Sequence, residues 1–123
     1  MKKRIMLVDD SRAVFEILKR FLEGSEYEIV THCKCGEDAL SRYGEVKPDL
    51  VLMDIVMPGM NGLEAGRELK RQWADARILI VSAMDDDDIR AEAASICCDG
   101  VYQKPFECSS LLKAINAAMT DIT

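Results

Sequence analysis

The chain has 123 residues, 49% of them hydrophobic, and a formal net charge of −6. That is enough to close one hydrophobic core without disulfides or a structural metal, so a single domain over residues 1–123 is expected. The acidic balance excludes a surface that draws nucleic acid or anionic lipid by charge, and the basic cluster Lys2-Lys3-Arg4 is too short to reverse it.

The first apolar run, Ile5-Met6-Leu7-Val8, is far too short for a signal peptide or a membrane span, which predicts a cytoplasmic protein. It is the right length for a strand buried on both faces. Val14, Ile17, Leu18, Phe21 and Leu22 then follow helical spacing, with Asp10 or Ser11 placed to cap the start and Gly24 the end. Tyr27 to Cys33 is a weaker strand signal, suited to a sheet edge, and a helix is predicted over 36–44. Leu50-Val51-Leu52-Met53 is the second fully apolar run, followed by a helix over 62–74 that Gly66 weakens. Ile78-Leu79-Ile80-Val81 is the third, followed by a helix over 86–96. The acidic run Asp85 to Asp88 opens that helix, where it favours the free N–H groups and the positive end of the dipole; the other reading is that it draws cations toward the strand ends. Val101-Tyr102-Gln103 is a second edge-strand signal. A final helix carries Leu111, Leu112, Ile115 and Met119 after Ser109 or an earlier cap. Strand and helix alternate five times, which predicts an α/β protein with a doubly wound, five-stranded parallel sheet.

Cysteines at 33, 35, 97, 98 and 108 form no C-x-x-C pair, and His32 is the sole histidine. They read as reduced thiols packed as small apolar residues, with Cys33-x-Cys35 the nearest approach to a metal pair.

The polar residues fall where the strands end. Asp9-Asp10 follow the first strand, Asp54 the third, Ser82 the fourth and Lys104 the fifth. In an open parallel sheet those ends share the edge at which α/β proteins place their sites. Singly, each has a plain structural reading: Asp10 as a helix cap, Ser82 as a turn residue, Lys104 as surface. Together, three carboxylates would repel unless a cation joined them, and an all-oxygen cluster open to water suits Mg²⁺. A metal and a lysine beside a carboxylate make a phosphoryl site, with Asp54 as the nucleophile that forms an acyl phosphate.

These residues carry a family resemblance. Asp9-Asp10, Asp54 in LVLMDIVMPGMNG, Ser82-Ala83 in ILIVSA and Lys104-Pro105-Phe106 in GVYQKPF resemble the receiver domain of two-component response regulators, across essentially the whole chain. The resemblance implies a flavodoxin-like, CheY-like sheet of order 2-1-3-4-5. It implies that Asp54 accepts the phosphoryl group, and that Mg²⁺ is held by Asp10, Asp54 and the backbone carbonyl of Val56, with Asp9 acting through water. It implies that Lys104 and Ser82, beside Ala83, contact the phosphoryl group, that Lys104-Pro105 is cis, and that Tyr102 turns inward; otherwise Tyr102 is an ordinary edge-strand aromatic. The implied donor is a sensor histidine kinase or a phosphotransfer protein. The implied target is another protein or a linked output domain, reached through the fourth helix, fifth strand and fifth helix, where Arg90, Lys113 and Asn116 are among few polar residues. That sparse basic content points to a monomer without direct nucleic-acid binding. The chain stops just after the fifth helix, as a stand-alone receiver or one excised from a longer protein.

Val56 and Met84 are apolar where polar residues are common in fast-cycling receivers. Either they flank the path of the hydrolytic water and slow self-dephosphorylation, or they pack in their loops. Two enzyme-like alternatives fit less well. A haloacid-dehalogenase-type phosphatase needs a second acid two positions after its nucleophile, where this chain has Val56, and an FMN carrier needs a phosphate loop where Asp9-Asp10 would repel phosphate. An interaction module that never receives phosphate remains the third reading.

Overall fold

The computed structural model describes residues 2–84 and 86–120; Asp85, the first member of the acidic run, lies outside them. The order is β1 (Lys3–Val8), α1 (Arg12–Phe21), β2 (Tyr27–Cys33), α2 (Gly36–Val46), β3 (Leu50–Asp54), α3 (Gly62–Gln72), β4 (Ile78–Ser82), α4 (Asp87–Ser95), β5 (Val101–Gln103) and α5 (Cys108–Met119). The five strands pair in parallel in the order β2-β1-β3-β4-β5.

The continuous apolar runs bury both faces of the sheet. Ile5, Leu7, Leu50, Leu52 and Leu79 pack with Leu18 and Leu22 of α1 and Leu111 and Ile115 of α5. Met6, Val8, Val51, Met53, Ile78 and Ile80 pack on the other face with Ala39 of α2, Leu63 and Leu69 of α3 and Ala93 of α4. Burying one such side chain contributes roughly 1.5–3 kcal/mol, and because both faces are apolar a slip of one residue in a central strand would exchange the faces, spoiling their packing and re-aiming the polar residue at the strand end.

The edge strand β2 keeps its faces only through an irregularity. Ile5 pairs with Ile29 but Met6 pairs with Thr31, so Val30 is an extra residue. Tyr27 and Ile29 therefore point to the α1/α5 face, whereas Cys33 beyond the bulge joins the opposite core.

Helix starts follow local chemistry. Ser11, rather than Asp10, caps α1 by accepting from the Val14 N–H at 3.2 Å. Asn61 caps α3, and Asp86 caps α4 by accepting from the Asp88 N–H at 2.8 Å. Asp86, with Asp87 and Asp88 in the first turn, thus serves the helix start. The cap of α5 is Glu107, so Ser109 lies inside the first turn. Gly24 sits two residues past the α1 C-cap Leu22, at φ 77°. No helix among the described residues is long and apolar enough to cross a membrane.

A candidate acidic phosphoacceptor site

With this strand order, α1 leaves β1 toward one face of the sheet and α3 leaves β3 toward the other, so a crevice opens at the carboxyl ends of β1 and β3. Asp54 is the last residue of β3, and Asp9 and Asp10 follow β1 directly. Carboxylate oxygens of Asp9, Asp10 and Asp54 all lie within 4.8 Å of one another; among the described residues they form the only cluster of three or more acidic, histidine or cysteine groups close enough to share a metal ion. Lys104, just after β5, brings its Nζ to 3.5 Å from Asp54 Oδ1 and 3.9 Å from Asp9 Oδ2. Residues drawn from three separate stretches of the chain therefore converge.

Asp9 and Asp54 are buried, Asp10 exposed. Burial pushes the Asp54 carboxyl above the usual range, the charge of Asp9 adds to the rise, and Lys104 and the Ile55 N–H oppose it. Burial also raises Asp9, against the Ser11 N–H and Lys104, with Asp10 adding to the rise. Three carboxylates facing one ammonium leave an uncompensated negative charge in a partly desolvated crevice. The donor set is oxygen only and its exposed member opens it to water, which fits a hard divalent cation of the Mg²⁺ type.

Backbone groups fix the acids in place. Ser11 N–H donates to Asp9 Oδ1 at 2.8 Å, and Ile55 N–H to Asp54 Oδ1 at 3.0 Å. His32 Nε2 lies 2.7 Å from the Asp9 carbonyl, which only accepts, so Nε2 carries the proton; the ring stacks on Phe15 at 4.8 Å. No sequence signal marked His32 for this task, because the bulge in β2 decides where it points.

Next to Asp54 is a cavity of about 170 Å³ lined by Asp54, Ile55, Val56, Ser82, Ala83, Met84, Ile89 and Lys104. Val56 and Met84 stand at its mouth, 78% and 62% exposed. Ser82 is buried, and its Oγ is already engaged: it donates to the Met84 carbonyl at 2.8 Å and accepts from the Met84 N–H at 3.1 Å. Tyr102 lies outside the cavity lining, already buried in the core between α1, α5 and the sheet. The Lys104-Pro105 peptide is cis, and the Pro105 carbonyl lies 3.3 Å from the Tyr102 hydroxyl.

A family description, response regulator receiver domain, matches residues 5–116. This chain belongs to the response regulator receiver family. The chemotaxis protein CheY of Halobacterium salinarum is 38% identical over 120 residues, spanning 98% of this chain and 99% of that protein. CheY of Thermotoga maritima is 35% identical over 116 residues, covering 94% and 97% of the two chains. In fold, the chain superimposes with a TM-score of 0.91 on a chain of the CheX-CheY-BeF3-Mg²⁺ complex from Borrelia burgdorferi, at 21% identity, over 97% of this chain and 90% of that one. The receiver assignment and the flavodoxin-like order of the sheet are thus established together, and the chain is a receiver of two-component signalling.

Proposed function

We propose that Asp54 is the phosphoacceptor of this receiver and that its donor is a phosphohistidine on a sensor kinase or phosphotransfer protein. The observation that carries this is the buried Asp54 carboxylate, fixed at a strand end and facing both Lys104 and two further acids. A carboxylate oxygen of Asp54 attacks phosphorus, the P–N bond breaks, and the imidazole leaves with the electron pair and takes up a proton. Lys104 neutralises the oxygens of the group in transfer. Asp10, Asp54 and the Val56 carbonyl would hold Mg²⁺, with Asp9 acting through water; the ion would supply charge neutralisation of the phosphoryl oxygens. On this reading the chain is a switch that catalyses its own phosphoryl transfer, and it is no dedicated enzyme.

Incubation with acetyl phosphate and Mg²⁺ tests it. A single phosphoryl mass gain is expected in the wild type and none in Asp54→Asn. A gain that persists in Asp54→Asn, or a wild type that never gains, would overturn the assignment.

The output follows from Ser82. To donate to a phosphoryl oxygen, its Oγ must give up the bond it now donates to the Met84 carbonyl, loosening the loop between β4 and α4. A charge-assisted hydrogen bond is worth roughly 1.5–3 kcal/mol, against about 0.5–1.5 for the one neutral bond given up, so the exchange biases the loop toward a second arrangement. The reader is a cytoplasmic protein or linked output domain on the face of α4, β5 and α5. Lys113 is exposed there, but Asn116 turns toward β2, where its side chain accepts from the Tyr27 hydroxyl. With so little basic content on that face and a net charge of −6, a monomer that leaves nucleic acid alone is the matching form.

Val56 and Met84 offer a hydrolytic water no hydrogen bond at the mouth of the cavity. Slow self-dephosphorylation follows. Val56→Asn is expected to shorten the acyl-phosphate lifetime about 3- to 10-fold, the worth of one neutral hydrogen bond in the transition state. An unchanged lifetime would return both residues to a packing role.

A further inference from the structure

The carbonyl of Asp9 and the N–H of Asp10 belong to one planar peptide unit, so whatever holds that oxygen also sets the directions in which the two carboxylates leave the chain. His32 holds it. Its Nε2 donates to the Asp9 carbonyl at 2.7 Å, while the Asp9 N–H donates to the Cys33 carbonyl at 2.9 Å. Both backbone groups of Asp9 are thus tied to the end of β2. His32 pairs with Leu7, so its ring lies on the α1 face of the sheet, where it stacks on Phe15 at 4.8 Å with 3° between the planes. The stack fixes the plane of the imidazole and with it the aim of the N–H. A carbonyl only accepts, so Nε2 is a protonated nitrogen whether or not Nδ1 carries a proton as well.

This grip matters most for Asp10. Asp9 is buried, and its Oδ1 accepts from the Ser11 N–H at 2.8 Å. Asp10 is exposed, and among the described residues its carboxylate has no hydrogen bond and no ion pair; Lys104 reaches Asp9 and Asp54 instead. Its oxygen nevertheless lies within 4.8 Å of those of both other acids. With no bond of its own, the Asp10 carboxylate takes its aim from the backbone, through the peptide that His32 grips.

We propose that His32 is a positioning residue of the acidic site, holding the Asp9–Asp10 peptide so that the Asp10 carboxylate is set in place for a divalent cation. The inference rests on the reading of Asp10 as a ligand of Mg²⁺, and it gives the edge strand β2 a part in the site. His32 acts through the peptide and is itself no ligand.

Three variants of the whole chain separate the ring from its N–H. His32→Phe keeps a flat ring for Phe15 but has no donor; His32→Leu is smaller and equally without one, which guards against overpacking; His32→Gln puts an amide nitrogen near the place of Nε2. Calorimetric titration with magnesium chloride, and amide nitrogen relaxation of the metal-free protein, are the two measurements. His32→Phe and His32→Leu should bind Mg²⁺ about 3- to 10-fold more weakly than the wild type, the worth of one neutral hydrogen bond. Their Asp10 amide should gain motion on the picosecond-to-nanosecond scale while the amides of β3 keep their order. His32→Gln should recover most of both. A merely structural role would lower the melting temperature and leave the Mg²⁺ affinity and the Asp10 amide where they were. The proposal is overturned by an unchanged affinity or an unchanged Asp10 amide in both donor-less variants, by a His32→Gln protein as weak as they are, or by a wild type that takes up no Mg²⁺. Neither measurement involves phosphate. A wild type that binds Mg²⁺ yet gains no phosphoryl mass from acetyl phosphate would therefore sink the Asp54 assignment alone, with the His32 comparison still deciding its own question.

Discussion

Gly62→Ala should lower the thermal midpoint by on the order of 10 °C, the cost of overpacking against a part that cannot move aside. A Cβ at this position would sit 2.0 Å from the Asp54 carbonyl oxygen, 2.8 Å from its carbonyl carbon and 2.9 Å from the Ile55 Cα. All three are backbone atoms, so no side chain can rotate away. The Gly62 N–H also donates to the Ile55 carbonyl at 2.9 Å, which binds the start of α3 to the end of β3. Relief must come from pushing α3 off the strand or from moving the strand end that aims the Asp54 carboxylate. Either displacement misplaces the proposed nucleophile, and a shift of about 1 Å can cost around 100-fold in rate, so phosphoryl uptake should fall by at least about tenfold. Gly66→Ala is the matched control. Its Cβ would meet only ordinary contacts, 3.5 Å from Ile96 Cδ1 and 3.7 Å from Cys98 Sγ, within the same helix. That substitution should raise stability by roughly 0.5–1 kcal/mol through helix propensity and a less flexible unfolded chain. Thermal melts of both variants with mass-detected phosphorylation check the pair. A Gly62→Ala protein as stable and as reactive as the wild type would show that the β3–α3 junction yields where the geometry says it cannot.

Gly62 also illustrates what sequence could reveal here. The strands were legible because runs such as Leu50 to Met53 have no polar residue to place on an exposed face, and the site was legible because polarity returns abruptly where those runs end. Strand order then brings Asp9, Asp10, Asp54 and Lys104 together without any local signal being needed. Helix bounds were read within a few residues, since the caps compete: Ser11 takes the cap of α1 because Asp9 and Asp10 turn toward the crevice. What stayed hidden depends on contact across the fold. The close approach of Gly62 to Asp54, the Val30 bulge that sends His32 to the Asp9 carbonyl, and the ring of bonds joining Tyr102, Glu107 and Ser110 leave no periodicity. Tyr102 itself was flagged from resemblance, yet its partners in the 105–110 turn come only from geometry.

Asp54→Asn should make the metal-free protein more stable at neutral pH, even as it removes the proposed phosphoacceptor. Burial raises the folded pKa of Asp54 above its unfolded value, with the Asp9 charge adding to the rise. For a carboxyl shifted upward, the stabilising contribution is complete below the unfolded pKa, about 3.9, and is lost as pH climbs through the folded value. At pH 7 the ionised Asp54 therefore opposes folding. An asparagine keeps an oxygen for the Ile55 N–H, which now lies 3.0 Å from Oδ1, without carrying the charge. Lys104 retains Asp9 and some access to water. The melting difference between variant and wild type should be positive at pH 7 and shrink as pH falls, vanishing only well below the unfolded pKa of about 3.9, where Asp54 is protonated in both states. Asp9, raised for the same reason, should act in the same direction in an Asp9→Asn series. Magnesium should reverse the ranking: held among Asp9, Asp10 and Asp54 it would raise the wild-type midpoint by mass action, and protons would compete for the same oxygens, so the Mg²⁺ concentration needed should climb as pH drops. In Asp54→Asn the magnesium-induced rise should be much smaller. Melts across pH 4–8 with and without Mg²⁺ measure all of this. An Asp54→Asn protein less stable than wild type at pH 7 without metal would mean that the attraction of Lys104 outweighs the cost of burying the charge.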